Sequence, residues 1–187
     1  DIEYHFKVLE SEEINAFACP GGFIYIYSGL LKNMDNEAQL AGVLAHEIGH
    51  VVARHSVKRL QQVLGLQVLL SLALGESSEL TQRAVATGIG VILQGYSRQN
   101  EFEADYNGAY YMTKAGYNPE GMIQLFGKFE EMEKGRKNAF LDQLLASHPP
   151  TPDRIAKVKE HIKLFDLGGK KLVFGEEDYK KTKSRLK

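Results

Sequence analysis

Apolar positions recur along the chain with two different spacings, and each spacing predicts a different kind of element. Residues 14–19 and 23–27 are short runs rich in apolar, aromatic and β-branched residues, and they flank the turn sequence Pro20-Gly21-Gly22. Such runs around a proline–glycine turn predict a β-hairpin. Residues 3–9 alternate more weakly and are followed by a polar run, which predicts another extended segment. The N-terminal part of the chain therefore predicts a small antiparallel sheet.

From residue 36 onwards the apolar positions recur every three or four residues, which is the helical period. Asn36 followed by Gln39 forms a capping box, an arrangement that opens a helix. The apolar segments 63–74 and 84–93 predict either a helical hairpin in the core or a mobile apolar flap near the cleft or the membrane surface. The predicted helices cover 36–62, 63–74, 84–93, 97–114, 119–134, a short piece at 140–145, and 151 to about 165. The predicted fold class is mostly helical α+β.

Length and composition suit one globular domain, because 187 residues of which 43% are hydrophobic can bury a full core. We assign that domain to residues 1–165 and treat 166–187 as a C-terminal appendage. The net charge of −1 gives no attraction to nucleic acid, so no nucleic-acid partner is expected. The single cysteine permits no internal disulfide. No apolar stretch approaches the ~20 residues that span a bilayer, so we expect a soluble chain, and its start at Asp1 indicates a processed product.

The sequence His46-Glu47-Ile48-Gly49-His50 carries the strongest chemical pattern in the chain. Residues four apart on a helix lie about 40° from each other on one face, so His46 and His50 can hold one metal ion. Glu47 lies about 100° round the helix, where it can reach a water molecule on that metal rather than the metal itself. The pattern predicts a hydrolytic site with one zinc ion per chain. The alternative is a chance occurrence, with both histidines packed or solvated.

A hydrolytic zinc site needs a third protein ligand. One scheme takes the third ligand from the extended motif H-E-x-x-H-x-x-G-x-x-H, which would need glycine at 53 and histidine at 56. The chain has Ala53 and Ser56, so this scheme is excluded. His55 lies about 180° from His46 if the helix continues, so we expect it to cap or pair elsewhere.

Acids in the predicted helix at 97–114 offer the other solution. Glu101 and Asp105 are four residues apart and share a face, whereas Glu103 points about 200° away from Glu101. The longer side chain suits ligation, and Asp105 one turn later can accept the ring N–H of a ligating histidine. A run of acids favoured by the helix dipole is the alternative, and it explains Glu103 best.

The segment His148-Pro149-Pro150-Thr151-Pro152-Asp153-Arg154 presents a histidine rigidly, because a residue before proline is held extended. His148 could stabilise the oxyanion of peptide hydrolysis, close the fourth zinc position in a resting state, or be a plain loop residue. Arg154 could support the same negative charge or anchor the segment by a salt bridge.

The first strand of the predicted hairpin could bind a substrate. Asn15, Ala16, Phe17 and Ala18 suit an edge strand to which an extended peptide adds its backbone. A purely structural strand is the alternative.

Four motifs in this order resemble a known family. They are Asn-Ala-Phe-Ala-Cys-Pro-Gly-Gly at 15–22, His-Glu-Ile-Gly-His at 46–50, Ser-Arg-Gln-Asn-Glu-Phe-Glu-Ala-Asp at 97–105 and His-Pro-Pro-Thr-Pro-Asp-Arg at 148–154. Together they resemble the zinc metallopeptidase family that includes HtpX, the CAAX prenyl endopeptidases and the mitochondrial Oma-type proteases.

The resemblance implies a gluzincin-like fold with zinc on His46, His50 and Glu101 and with Glu47 as the general base. It also implies a bacterial periplasmic or envelope protease with protein or peptide substrates, a role in protein quality control, and peripheral contact with the membrane or the outer-membrane assembly machinery.

Two rival functions remain. One is a chaperone-like protein that keeps zinc for stability and binds unfolded chains, although a structural zinc site has no use for Glu47. The other is a latent protease whose cleft is plugged by its own 136–148 segment.

Overall fold

The computed structural model describes residues 2–73, 88, 90, 95–135, 141–149, 151–165, 169 and 171–186. Its strands are β1 (His5–Leu9), β2 (Ala16–Cys19) and β3 (Phe23–Tyr27). Its helices are α1 (Ser28–Asn33), α2 (Glu37–Val52), α3 (His55–Ala73), α4 (Arg98–Ala115), α5 (Glu120–Gly135), α6 (Asp142–Ser147), α7 (Pro152–Leu164) and α8 (Glu176–Lys183). The predicted mostly helical α+β class is confirmed.

The three strands form one sheet in the order β1-β3-β2. β2 and β3 form the predicted antiparallel hairpin, with Ala16 opposite Ile26. β1 pairs with the other side of β3 in parallel, with His5 opposite Phe23. The prediction of a wholly antiparallel sheet was therefore wrong in one pairing, because the chain crosses over between β1 and β2 and leaves β3 in the middle.

Helix α2 packs closely against α4, and two glycines make this contact possible. A Cβ atom at Gly49 would lie 2.9 Å from the carbonyl oxygen of Ala104. A Cβ atom at Gly108 would lie 3.0 Å from the backbone nitrogen of His46. The two backbones can approach this closely only without side chains at these positions, and the approach brings residues 46–50 next to residues 101–105.

The predicted continuous helix over 36–62 was wrong, because the chain breaks between α2 and α3. Helix α2 begins as predicted, with the side chain of Asn36 accepting a hydrogen bond from the Gln39 amide. It ends at Val52, and Arg54 then adopts a left-handed conformation with φ of 56°. Helix α3 starts anew at His55, so the rotation expected from an unbroken helix does not apply to that residue.

The segment after residue 165 packs against the body of the protein. Tyr179 is buried and its hydroxyl donates to the carbonyl of Leu31 at 2.8 Å. The Lys183 ammonium donates to the carbonyl of Met34 at 2.8 Å. The predicted domain boundary near residue 165 stays a prediction, but the described part of this segment is not detached. We had expected only an appendage and did not predict α8, nor the short helix α1.

The connection between the predicted helices at 63–74 and 84–93, almost all of the second of these helices and the start of the 136–148 segment lie outside the described residues. No described helix combines the length and the apolar content that crossing a bilayer requires.

Candidate metal centre

Helix α2 contributes two histidines to one buried point. His46 and His50 are four residues apart, and their Nε2 atoms lie 3.0 Å from each other. His50 is fully buried and His46 nearly so. Both ring nitrogens therefore face the same small volume, as the helical spacing predicts.

Helix α4 brings a carboxylate to the same point. Its first turn is capped by Ser97, whose side chain accepts from the Asn100 amide, and Glu101 follows directly. The Glu101 carboxylate oxygens lie 3.3 Å from His50 Nε2 and 3.6 Å from His46 Nε2. Glu101 is 1% exposed.

His148 approaches from the end of α6 and completes the group. Its Nδ1 atom lies 3.1 and 3.2 Å from the two Glu101 oxygens and 3.3 Å from His46 Nε2. One ligand atom from each of His46, His50, Glu101 and His148 lies within 4.8 Å of the other three. Glu47 sits beside this group, with Oε1 3.6 Å from His148 Nε2.

The donor chemistry fits a zinc ion. Imidazole nitrogens with one carboxylate oxygen are a common ligand set of hydrolytic zinc. The described buried groups include three carboxylates, of Glu47, Glu101 and Asp105, but only one guanidinium, of Arg154. A divalent cation would balance the remaining negative charge, since burying an uncompensated carboxylate costs several kcal/mol.

One observation fits a water molecule next to such an ion. The Oε2 atom of Glu47 is buried and has no hydrogen-bond partner within the described part of the chain. A cavity of about 40 Å³ borders Glu47, His46 and His148. Most of the other residues that line it are apolar, among them Leu30, Met122 and Phe126, so this cavity suits an apolar group better than a water molecule.

A layer of charged groups surrounds the candidate ligands. Asp105 Oδ1 lies 2.9 Å from His46 Nδ1. Arg154 donates two hydrogen bonds of 2.7 Å to the Asp105 carboxylate, and its Nη1 atom lies 2.9 Å from Glu101 Oε2. Arg154 is 2% exposed, and Nη1 also donates to the Pro149 carbonyl at 3.0 Å. These contacts favour the anchoring role considered for Arg154 over direct support of an oxyanion.

Burial and neighbouring charges shift the pKa values of these groups in different directions. Burial holds the pKa of His50 well below its usual range, so its ring is neutral and able to ligate. Burial would raise the pKa of Glu101, but the charge and hydrogen bond of His148 and the hydrogen bond of His50 hold that pKa well below its usual range. Burial would lower the pKa of His148, but the charges of Glu101 and Glu47 outweigh it and raise that pKa.

Of two further neighbours of His50, sequence reasoning missed Tyr96 and expected His55 to cap or pair elsewhere. The ring of Tyr96 stacks on the ring of His50 with centroids 4.0 Å apart, and the Tyr96 hydroxyl lies 2.7 Å from Ser56 Oγ. His55 Nδ1 lies 2.9 Å from His50 Nδ1. Tyr96 precedes the helix cap and belongs to no periodic pattern, and the position of His55 follows from the left-handed backbone of Arg54, which the apolar periodicity does not reveal.

The predicted substrate strand lies at one edge of the sheet. Tyr27 N donates to Asn15 O at 3.0 Å, which makes these residues a hydrogen-bonded pair. Such pairs alternate along an antiparallel ladder, so the backbone groups of Ala16 and Ala18 face away from β3. Asn15, Ala16 and Ala18 are buried, backbone included, and the Ala16 N–H donates to Asn15 Oδ1 at 2.9 Å. The ring of Phe17 stacks on Tyr25 at 5.1 Å between centroids.

Comparison with known proteins gives a consistent result. Residues 1–162 match peptidase family M48. The chain is 32% identical over 169 residues to the beta-barrel assembly-enhancing protease of Escherichia coli (strain K12), covering 83% of this chain and 34% of that protein. It is 32% identical over 167 residues to the mitochondrial metalloendopeptidase OMA1 of Schizosaccharomyces pombe, covering 87% of this chain and 48% of that protein. It is 31% identical over 163 residues to the metalloprotease LoiP of Escherichia coli (strain K12), covering 84% and 62%. The chain thus spans less than two thirds of the length of each of these relatives.

Proposed function

This chain belongs to peptidase family M48, as its four motifs predicted, and from that membership we propose that it is a zinc-dependent endopeptidase acting on proteins of the bacterial envelope. The observation that carries the proposal is the convergence of His46, His50, Glu101 and His148 on one buried point with Glu47 beside it. The names of its relatives, among them the metalloprotease LoiP and the metalloendopeptidase OMA1, support the same chemistry.

His46, His50 and Glu101 would hold the zinc. The Asp105 carboxylate lies 2.9 Å from Nδ1 of His46, where its charge would favour a proton on Nδ1 and leave Nε2 free to ligate. When bound, the zinc would polarise the scissile carbonyl and lower the pKa of a water molecule towards ~7.

Glu47 is proposed as the general base. Its carboxylate is buried beside the histidines, and one of its oxygens has no partner among the described residues. It would take a proton from the attacking water and pass it to the leaving amine as the peptide bond breaks.

His148 is proposed as a fourth ligand in the resting protein. Its Nδ1 atom faces Glu101 and His46, which is the orientation of a donor to the same ion. A closed set of four ligands would exclude the attacking water, so His148 must move aside for catalysis. Its ring could then face the oxygen of the scissile carbonyl.

The substrate would bind as an extended strand along β2. In the structure this edge is covered, because Ala16 and Ala18 are 2% and 1% exposed and the Ala16 N–H donates to Asn15 Oδ1 at 2.9 Å. A peptide main chain would pair with their outward backbone groups only after the edge opens. Because main-chain pairing recognises no particular side chain, it suits protein substrates with exposed, unfolded segments. The name of the Escherichia coli relative, a beta-barrel assembly-enhancing protease, supports the envelope and contact with the outer-membrane assembly machinery.

The first experiment compares casein cleavage and zinc content of the wild type with those of Glu47→Gln, with and without a chelator. Loss of a general base reduces turnover by about 10²–10⁴-fold, so Glu47→Gln should keep zinc and lose cleavage. The exposed Glu120, in the first turn of α5, gives the control Glu120→Gln, which should behave as wild type. Cleavage by Glu47→Gln at the wild-type rate would contradict the mechanism. Binding of unfolded chains with no cleavage by the zinc-loaded wild type would instead favour a chaperone.

The second experiment tests His148 by the variant His148→Ala. If His148 is the fourth ligand, the variant should cleave casein several-fold faster while retaining zinc on the other three residues. A fall in turnover of about 10²–10³-fold would assign His148 to oxyanion stabilisation instead.

A further inference from the structure

His50 has a second buried contact on the side of its ring away from the candidate ligands. Its Nδ1 atom lies 2.9 Å from Nδ1 of His55, and Nε2 of His55 lies 3.3 Å from the Glu103 carboxylate. His55 is 1% exposed, whereas the Glu103 side chain is 55% exposed. The three side chains therefore form a line from the candidate metal centre to the surface.

The hydrogen positions along this line follow from the role of His50. A neutral imidazole that ligates through Nε2 carries its proton on Nδ1. His50 must then donate to Nδ1 of His55, which can accept only if the proton of His55 is on Nε2. That proton points at the Glu103 carboxylate, so one set of tautomers satisfies every atom.

The backbone explains why these residues meet. The left-handed conformation of Arg54 ends α2 and starts α3 at His55, next to the ring of His50. On α4, Glu103 lies about 200° round the helix from Glu101. One helix therefore presents Glu101 to the candidate metal and Glu103 to His55.

From this geometry we infer that His55 and Glu103 are a positioning pair, which holds His50 in its ligating tautomer and orientation. The inference rests on the proposed function, in which His50 is a ligand. The pair serves His50 as Asp105 serves His46, so each ligating histidine has its own outer partner. Glu103, which the helix dipole alone would explain, thus gains a specific role as the partner of His55.

The experiment measures the zinc dissociation constant of the full chain by competition with a chelator. Loss of an outer-shell partner typically weakens metal binding 10–100-fold, so His55→Phe should show a loss of this size. Glu103→Ala should show a smaller, several-fold loss, because its carboxylate is half exposed to water. The double variant should bind as His55→Phe alone does, because both substitutions break the same line of contacts.

The conservative variant His55→Asn separates positioning from packing. Its side-chain oxygen can accept from His50 Nδ1 and its amide can donate towards Glu103, so binding should recover to near the wild-type value. A purely structural role would instead leave His55→Asn as weak as His55→Phe. The exposed Glu120→Ala, which removes an acid near the start of another helix, is the control, and its affinity should not change.

The outcomes distinguish this inference from the proposed function. If the wild type binds no zinc, or His46→Ala binds it as tightly as the wild type, the proposed metal centre itself fails. If the wild type binds zinc and His46→Ala does not, but His55→Phe stays within twofold of the wild type, only the positioning pair is overturned. Should His55→Phe fail to fold, Glu103→Ala decides, with a several-fold loss in support and an unchanged affinity against.

Discussion

Arg154 is the only buried residue among the described lysines and arginines, and it contacts two buried carboxylates at once. Its guanidinium also lies over the ring of Phe126, 4.7 Å from the centroid. The charge of Arg154 therefore offsets the cost of burying Glu101 and Asp105 together. The stability of the metal-free protein should depend strongly on this one side chain.

Replacement by a side chain of similar length tests this dependence. Arg154→Met should lower the free energy of unfolding of the metal-free protein by about 3–5 kcal/mol, because it leaves buried carboxylates without a partner. Chemical denaturation at pH 7 measures the change. The matched control is Arg98→Met, which removes an exposed ion pair with Asp153 and should cost about 0–1 kcal/mol. Equal effects of the two substitutions would show that Arg154 is not an electrostatic anchor.

The same contacts predict a pH dependence. Burial would raise the pKa of Asp105, but the hydrogen bonds and charge of Arg154 lower it below its usual value of 3.8. A carboxylate with a lowered pKa in the folded state contributes stability that is fully present above its unfolded pKa and is lost as pH falls through the folded one. The metal-free wild type should therefore lose stability steeply below about pH 4.

Denaturation of metal-free Arg154→Met over the same pH range is the comparison. Without the guanidinium the pKa of Asp105 is no longer lowered by that charge, so the loss below about pH 4 should be shallower. An identical slope in both proteins would mean that the lowered pKa of Asp105 does not come from Arg154.

At the residue scale, the sequence predicted most of the residues that meet at the candidate metal centre. Helical spacing placed His46, His50 and Glu101 on faces that the structure does bring to one point. Their roles stay predictions. The neighbours Tyr96 and His55 could not be found in this way, because they precede a helix or follow a break, where no period applies.

At the scale of elements, the contact between α2 and α4 sets the distance between the histidines and Glu101. The position of Gly49 in the middle of this contact leaves no space for a methyl group, because the obstacle is backbone rather than a flexible side chain. Any enlargement there must push the helices apart.

Gly49→Ala should therefore lower the free energy of unfolding by about 1–3 kcal/mol through overpacking. It should also weaken zinc binding, because it moves Glu101 away from His46 and His50. The control is Gly127→Ala in α5, where nothing lies within 4 Å of the added carbon, and it should be neutral or stabilise by about 0.5–1 kcal/mol. Denaturation measures the change in stability and chelator competition measures the change in zinc affinity. A Gly49→Ala protein with normal zinc affinity would argue that the α2–α4 contact does not set the distance between the histidines and Glu101.

The errors at this scale have physical causes. Apolar periodicity continues across residues 53–55, so it could not reveal that Arg54 adopts a left-handed backbone. The parallel pairing of β1 was also hidden, because strand patterns give pleat and exposure but not the direction of a partner. By contrast, α4 and α7 have strong caps, Ser97 and Thr151, and their starts matched the prediction.

At the scale of the whole molecule, the N-terminal sheet, helix α1 and the C-terminal helix α8 share one hydrophobic cluster, whereas the α2–α4 contact belongs to another. Tyr179 packs in the same cluster as Leu30 and Met34 of the N-terminal part. Its hydroxyl also contacts the backbone of α1. The described part of the segment after residue 165 therefore contributes to the stability of the peptidase body.

Tyr179→Ala should lower the free energy of unfolding by about 3–5 kcal/mol, the usual cost of truncating a buried aromatic side chain to alanine. Tyr110→Ala on the exposed face of α4 is the control, and its smaller buried area predicts a much smaller change. Thermal and chemical denaturation measure both. Equal, small losses would support the separate appendage that the sequence predicted.

The donors at the candidate metal centre come from three stretches of chain that lie far apart in sequence. An ion held by His50, Glu101 and His148 would act as a cross-link that closes two loops of about fifty residues each, and such closure restricts the unfolded ensemble far more than the folded one. The melting temperature should then rise with free zinc concentration, as expected for a ligand that prefers the native state. Zinc availability in the surroundings would in this way govern how long the protein survives as well as how fast it works.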